Sequence, residues 1–455
     1  MRNEALDRAI RESGYSYAEL ARQIRAVAGE NGVTVRTNSS AVAHWVAGTR
    51  PARRTADLIA EALARKLQRP ITPVQLGLQP AEKEAADTSL GLHVDRDPLD
   101  VLTMLGRADI ERRPEAHAAP YTVATGSLVL DLDAQAAARA TTARRTGTAG
   151  EPEVRAVREM TELFTAVDER HGGRHGRSAL VQYLTSDVAA LCRARFRSEE
   201  LQQQMLSAAA CVAYLAGWKA YDAGEQGLAQ RYYLQAYRLT REAGNDLHGA
   251  FVLRVLAHHA METGRSEHAL ALVDAALQRA RGRTDPATEA LYVATRARAL
   301  AMEGRRREAV AEAAHAARLV DGADEREMPF WAALWGSPSA CVRTHTAKAA
   351  EHMGSYDIAE QHFSQAVWNR TDTDLRRITA LSHAHAGSMQ CRQGLVEQAC
   401  RTWSGTLQMM DGVRSVRVRR AVATMTRDLA PYQRRKVPAA LELGEKIRLW
   451  SQEGP

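Results

Sequence analysis

Several things are scarce in this 455-residue chain. No apolar run approaches the ~20 residues needed to cross a bilayer. The opening MRNEALDRAIRESG lacks the apolar core of a signal peptide, so a cytoplasmic protein is expected. The five cysteines (Cys192, Cys211, Cys341, Cys391 and Cys400) form no CxxC pair and are odd in number. They read as small buried apolar residues, and neither a metal site nor a disulfide framework is expected. Aromatics make up 5% and β-branched runs are few, while alanine and aliphatics abound, which points to helices throughout. Walker loops, GxSxG, HExxH and GxGxxG are all absent, so neither an enzyme nor a cofactor is expected. His258 and His259 are adjacent and His383 and His385 are two apart, so neither pair shares a helix face. His171 and His175, in HGGRHGR, lack acidic or thiol partners, which argues against a metal there.

What is present is a spacing. Ala229, Tyr233 and Ala236 follow Gly224 at +5, +9 and +12. The pattern recurs after Gly264 (Ala269, Val273, Ala276), Gly304 (Ala309, Ala313, Ala316) and Gly354 (Ala359, Phe363, Ala366). A degraded copy follows Gly394 (Ala399, Trp403, Thr406), and the glycines lie 40, 40, 50 and 40 residues apart. Glycine ends one helix and lets the chain reverse. The small residues share one face of the next helix and permit close approach. Such a hairpin cannot bury its apolar face alone, so the copies must stack as an α-solenoid. This resembles the tetratricopeptide repeat, whose period is about 34 residues; the longer spacing here requires extended helices or connections.

Charge is unevenly spread. Residues 1–80 hold 12 Lys/Arg against 7 Asp/Glu, net +5, while the other 375 hold 49 against 47, net +2. That asymmetry suggests an N-terminal module for a polyanion. Four helices are expected in it. The first, Asn3 to Glu12, turns Ala5, Leu6, Ala9 and Ile10 inward. The second opens on the capping box Ser16–Glu19 and buries Leu20, Ala21, Ile24 and Val27. After the connection GENGVTVRT, the third is capped by Asn38 and buries Val42, Trp45 and Val46. The fourth, Thr55 to Leu67, buries Ala56, Ile59, Ala60 and Leu63.

The segments YAELARQI, AVAHW, GTRP and RPITPVQLGL resemble the helix-turn-helix domain of the Xre/Cro type, in its elongated-turn form. The signature YDAGEQGLAQRYYLQA is similar to that of actinobacterial (Streptomyces-type) regulators that join such a domain to tetratricopeptide repeats. The resemblance covers the first 80 residues and roughly 150–450. It implies a DNA-binding transcriptional regulator of development or specialised metabolism. The third helix would then enter the major groove of double-stranded DNA, presenting Ser39, Ser40, Ala43 and His44, with Arg50, Arg53 and Arg54 on the phosphate backbone. No Arg, Lys, Gln or Asn follows the cap on that exposed face, so affinity should come mostly from phosphates, with modest specificity from the serines, His44 and DNA shape. His44 either contacts the DNA or, beside Trp45, hydrogen-bonds backbone.

The expected organisation is a helix-turn-helix domain over 1–80, a linker with weak helical content over 81–150, and a tetratricopeptide-type solenoid with helical caps over 151–455. DPLDVLTMLGRADIERRP reads as one short amphipathic helix, and DAQAAARATTARRTGTAGEP as a linker or loosely held helix. EVRAVREMTELFTAVDE reads as a helix with Val154, Val157, Met160, Leu163 and Val167 inward, and Ser178 to Arg197 as another that caps the front of the solenoid. GVRSVRVRR and APYQRRKVP precede a last helix, Ala439 to Trp450, which closes it. On the imported repeat register, small residues seven before each glycine (Gly217, Ala257, Ala297, Ala347, Gly387) pack against the second helix. Tyr214, Trp218, Arg254, His258, Arg298 and Lys348, with Ala294, Thr344, Ala384 and Ser388, would line the inner groove. An acidic peptide, a carboxylate ligand or a protein partner suits that groove. A homodimer is expected, since one helix-turn-helix buries little surface. The alternative is an adaptor that scaffolds partner proteins without binding DNA.

Overall fold

The local signals of the first eighty residues each become a helix. The computed structural model describes residues 2–30, 33–67, 71–79, 90–134, 147–368 and 375–453. Helix α1 spans Glu4–Ser13, with Asn3 accepting the Leu6 amide at 3.0 Å and Gly14 closing it at φ 69°. Helix α2 spans Tyr17–Glu30 and opens on a complete capping box: the Ser16 amide donates to the Glu19 carboxylate (2.8 Å) and the Glu19 amide to Ser16 Oγ (3.2 Å). Helix α3 is Ser39–Val46 and α4 is Arg53–Leu67. The inward residues expected for the four helices are buried in one core, except Ala5, which is half-buried; Leu76 and Leu78 complete that core.

The chain divides into two units, residues 1–151 with 178–242 and residues 152–177 with 243–455. These cut across the three expected segments. In the first unit, α5 (Pro98–Ile110), α6 (Pro114–His117) and α7 (Val123–Ala134) occupy part of the expected linker. The short amphipathic helix expected over 97–114 is α5, with Leu99, Val101, Leu102 and Leu105 buried. Most of the expected low-complexity stretch, 135–146, lies outside the described residues. Arg177–Tyr183 (α9) continues through a π-turn, Leu184–Val188, into α10, Ala189–Cys192. The helix expected to reach Arg197 stops earlier because the Arg195 backbone pairs with residues 147–149.

The first repeat hairpin, α11 (Glu199–Asp222) and α12 (Gln226–Glu242), belongs to this unit. Polar side chains of α12 grip the backbone of residues 90–122. Gln230 Nε2 donates to Thr122 O (2.7 Å), Arg231 Nε to Leu90 O (2.7 Å) and Gln235 Nε2 to Gly91 O (2.8 Å). A Cβ on Gly227 would lie 2.2 Å from Ala119 O, so glycine is what lets that loop rest on the helix.

The second unit is a helical-repeat stack. Its hairpins are α13 (Asp246–Glu262) with α14 (Ser266–Ala280), α15 (Pro286–Met302) with α16 (Arg306–Asp321), α18 (Pro338–His352) with α19 (Tyr356–Trp368), and α20 (Arg376–Arg392) with α21 (Val396–Met410). Helices α22 (Val416–Arg434) and α23 (Pro438–Glu453) pack on the last of these, as expected of a closing cap. All five repeat glycines take the left-handed conformation, φ 75° to 87°, and every +5 alanine is fully buried. The 50-residue interval holds an insertion with α17 (Phe330–Ala333), whose Trp331 stacks on the His248 ring at 5.1 Å. The protein is thus all-α, an N-terminal helical domain followed by an α-solenoid of tetratricopeptide type.

The largest +9 residues are matched by glycine across the hairpin. Tyr233 and Trp403, the bulky +9 residues, face Gly217 and Gly387, where a Cβ would come within 2.6 and 2.5 Å of the ring. Where the −7 residue is alanine, the +9 residue is Val273, Ala313 or Phe363. At Gly217 and Gly387 the missing side chain is what admits the ring.

One helix departs from its expected facing. Helix α8, Glu151–His171, buries Val154, Val157 and Thr161, but Leu163 is 56% exposed and Met160 and Val167 are half-buried. Asp168 and Glu169 are the buried residues at its end. Both accept hydrogen bonds from Arg377 Nη2, a fully buried guanidinium on α20. That ion cluster, rather than an apolar stripe, fixes the helix end.

Candidate functional site

The N-terminal site is assembled around α3. Asn38 is extended (φ −133°, ψ 177°) and accepts the Ala41 amide at 2.9 Å, which starts the helix where its outward face comes clear of the core. Val42, Trp45 and Val46 anchor it, leaving Ser39, Ser40, Ala43 and His44 exposed. Arg50 and Arg54 are exposed and Arg53 is half-buried. Arg53 and Arg54 form the first turn of α4, where cations oppose the helix dipole; a bound anion would reverse that sign. The sequence pattern did not reveal Arg25, which donates to Thr37 O just ahead of the cap and ties α2 to the start of α3.

Three of the domain's seven carboxylates are paired with arginines inside it. Asp7 pairs with Arg2 and Arg11, and Arg65 is shared between Glu61 (2.6 Å) and Glu30 (2.8 Å). Burial pushes Glu61 up to about 7, against the pull of Arg65. The cations left toward solvent therefore face few compensating carboxylates, a field suited to a polyanion.

The expected groove residues divide between the two units. In the first, Tyr214 is buried and stacks on Tyr233 at 5.7 Å; half-buried Trp218 lies 6.4 Å from Tyr214. Tyr214 is hairpin core rather than displayed lining, because it stacks on Tyr233, whose ring takes the room that Gly217 leaves.

In the second unit, His258, Arg298 and Lys348 come together around a residue outside the expected set, and Arg254 reaches the helices that carry Arg298 and Lys348. Arg298 Nη2 donates to Glu262 Oε1 at 2.7 Å, and Lys348 Nζ to the same oxygen at 3.0 Å. Arg254 reaches Leu291 O (3.3 Å), Thr295 Oγ1 (3.1 Å) and Cys341 Sγ (3.0 Å). His258 meets the His345 ring edge-on at 5.6 Å. Arg254 and Arg298 are buried, whereas His258, Glu262 and Lys348 are half-buried. Burial alone would raise Glu262, but Lys348 and Arg298 hold it well below the carboxylate range; burial drives His258 and His345 well below the imidazole range. Glu262 was legible, since positions 254, 258 and 262 are one stripe of α13 at i, i+4 and i+8. Cys341 departs from the buried class expected of the cysteines: it is half-buried and accepts from Arg254, and all five cysteines remain thiols.

A further constellation sits in the first unit. His117 Nδ1 lies 3.0 Å from Glu225 Oε1 and Nε2 3.3 Å from Asp109 Oδ1, while Tyr232 donates to Asp109 Oδ2 at 2.9 Å. Hydrogen bonds to Asp109, then Glu225, push His117 up to about 9. Among the described residues, these three side chains are the triple whose atoms lie close enough to hold a metal ion. The protonated ring spanning both carboxylates makes it an ion-pair clamp. His171 and His175 place their rings 4.8 Å apart and belong to no such triple among the described residues. No helix among the described residues is long and apolar enough to cross a membrane.

Residues 6–79 match the family model of the SP15 N-terminal domain. No curated protein matches the chain. Among solved structures it is similar to a Signal Transduction ATPase with Numerous Domains (STAND) protein with a tetratricopeptide repeat sensor from Pyrococcus horikoshii. That likeness is at 10% identity and a TM-score of 0.37, over 93% of this chain and 55% of the other, so the chain spans about half that protein's length. A likeness at that TM-score supports no statement about function.

Proposed function

We propose that the protein is a DNA-binding transcriptional regulator, acting in the cytoplasm as a homodimer, whose repeat region takes up a ligand or partner. The observation that carries this reading is the exposed strip Ser39, Ser40, Ala43 and His44 on a helix anchored by Val42, Trp45 and Val46, followed by Arg50 and Arg54. A helix with one anchored face and one exposed face of small and hydrogen-bonding side chains fits a groove, and the flanking arginines fit phosphates. No catalytic role is assigned.

The test is a salt titration of the full-length chain on duplex DNA. Affinity should fall steeply with salt, and Arg53→Ala with Arg54→Ala should reduce the log–log slope by about 1 for each phosphate left without its arginine. Ser40→Ala and His44→Ala should weaken binding to preferred sequences while leaving that slope intact. Binding that is absent, or indifferent to all four changes, refutes the proposal. The adaptor, favoured by the lack of Arg, Lys, Gln or Asn on the α3 face, would then take its place.

A further inference from the structure

Two cations from two repeat helices share one carboxylate in the second unit, and a third, Arg254, contacts Thr295 and Cys341 of the same two helices. Arg254 (α13), Arg298 (α15) and Lys348 (α18) carry three positive charges against the single negative charge of Glu262, an excess of two. Arg254 finds only neutral hydrogen-bond acceptors. Arg417 of α22 adds to the field at Glu262. Removing cations from water without a counter-charge is expensive, so native interiors rarely leave such an excess.

Donors are left over as well as charge. Arg298 is 4% exposed, and its Nε and Nη1 have no hydrogen-bond partner; His345, also 4% exposed, has none at Nδ1. Folded proteins leave few buried polar atoms unsatisfied, and each one calls for a reason. The cluster is not sealed, because His258, Glu262, Cys341 and Lys348 are half-buried around these deeper groups.

We propose that this cluster binds the phosphate group of a small phosphate monoester, held by Arg254, Arg298 and Lys348. A phosphate monoester carries about −1.5 to −2 at neutral pH, which matches the excess; a monocarboxylate would leave one cation uncompensated. Its three terminal oxygens can take the unspent Arg298 donors and the Lys348 ammonium together. Glu262 is then the internal competitor that holds the cations in place. The inference rests on reading the repeat region as a binding unit and draws nothing from DNA binding.

The experiment is calorimetry on the full chain at fixed ionic strength, with inorganic phosphate and phenyl phosphate as probes and acetate and benzoate as controls. Both phosphates should bind saturably, at least about tenfold tighter than benzoate. Glu262→Gln should tighten phosphate binding by about tenfold, a gain that a misfolded variant cannot mimic. Arg298→Gln should weaken it more than about tenfold, while Arg307→Gln, on an exposed turn of α16, should not change it. No saturable phosphate binding by the wild type or by Glu262→Gln overturns the proposal, as does equal binding of benzoate or equal loss in Arg307→Gln. The assay contains no DNA, so failure of the DNA reading and failure of this one are separate results. Capture of a protein partner by a chain that ignores phosphate would keep the binding-unit reading and reject this ligand.

Discussion

Replacing Gly217 by alanine sets two effects of known size against each other. Alanine is favoured over glycine inside a helix by about 1 kcal/mol. At this position the new Cβ would lie 2.6 and 2.7 Å from Tyr233 Cε1 and Cδ1, and 3.1 Å from Ala229 O. Carbon atoms in contact settle near 3.5–4.0 Å, so ring or helix must move by roughly 1 Å, and overpacking of that kind costs about 1–3 kcal/mol. The net expectation is destabilisation by up to about 2 kcal/mol. Tyr233→Val alone should cost about 2–4 kcal/mol by leaving a cavity. The double variant recreates the Ala257/Val273 pairing of the next repeat, so the two losses should fall short of additivity by at least about 1 kcal/mol. The chain has two units, so one melting temperature is not a sufficient readout. Hydrogen exchange of the α11 and α12 amides across a urea series reports this hairpin directly. Gly217→Ala at or above wild-type stability, or an additive cycle, would show that steric fit does not decide these pairs.

Three further expectations follow from charge. His117 has a folded value near 9 against an ordinary 6.5, so its stabilisation is fully present below pH 6.5 and is lost as pH rises through 9. A shift of that size is about 3 kcal/mol at full strength. Solvent screening of a half-buried ring brings it to about 1–2 kcal/mol, which His117→Gln should remove at pH 6 but not at pH 10. Differential scanning calorimetry at both pH values measures this, and equal losses refute it. Arg377→Met strands Asp168 and Glu169 and should destabilise by about 3–5 kcal/mol. Adding Asp168→Asn and Glu169→Gln should restore at least half of that in urea denaturation, and no recovery refutes the ion-cluster account. Arg54→Ala should leave thermal stability unchanged or slightly raised, since that exposed cation opposes the α4 dipole; a marked loss would mean it holds the fold.

Sequence showed the architecture where one residue type answers one local demand. The repeat glycines are legible because a left-handed turn admits little else, and Asn38 and the Ser16–Glu19 box because an open helix end requires an acceptor. The α8 facing was not legible, because a fully buried arginine on α20 outweighs the apolar stripe near Asp168 and Glu169. The seating of residues 90–122 on α12 was not legible either: Gln230, Arg231 and Gln235 look like a solvated helix face until the backbone they bind is in view. Of the candidate sites, the α3 strip could be read from periodicity. The Arg298–Glu262–Lys348 centre was half-read, since the imported register ended one turn too soon. The His117 clamp joins residues more than a hundred apart and left no local trace.

The Arg377 cluster also sets a timetable. Asp168 and Arg377 are separated by 209 positions. At a synthesis rate of about 5–20 residues per second, the two acids of α8 wait roughly 10–40 s for their partner to leave the ribosome. Helix α8 therefore cannot reach its final seat as it is made, and everything between is synthesised while its acidic end is unclaimed. A chain cut before α20, by truncation or premature termination, keeps those carboxylates and never acquires the arginine that neutralises them.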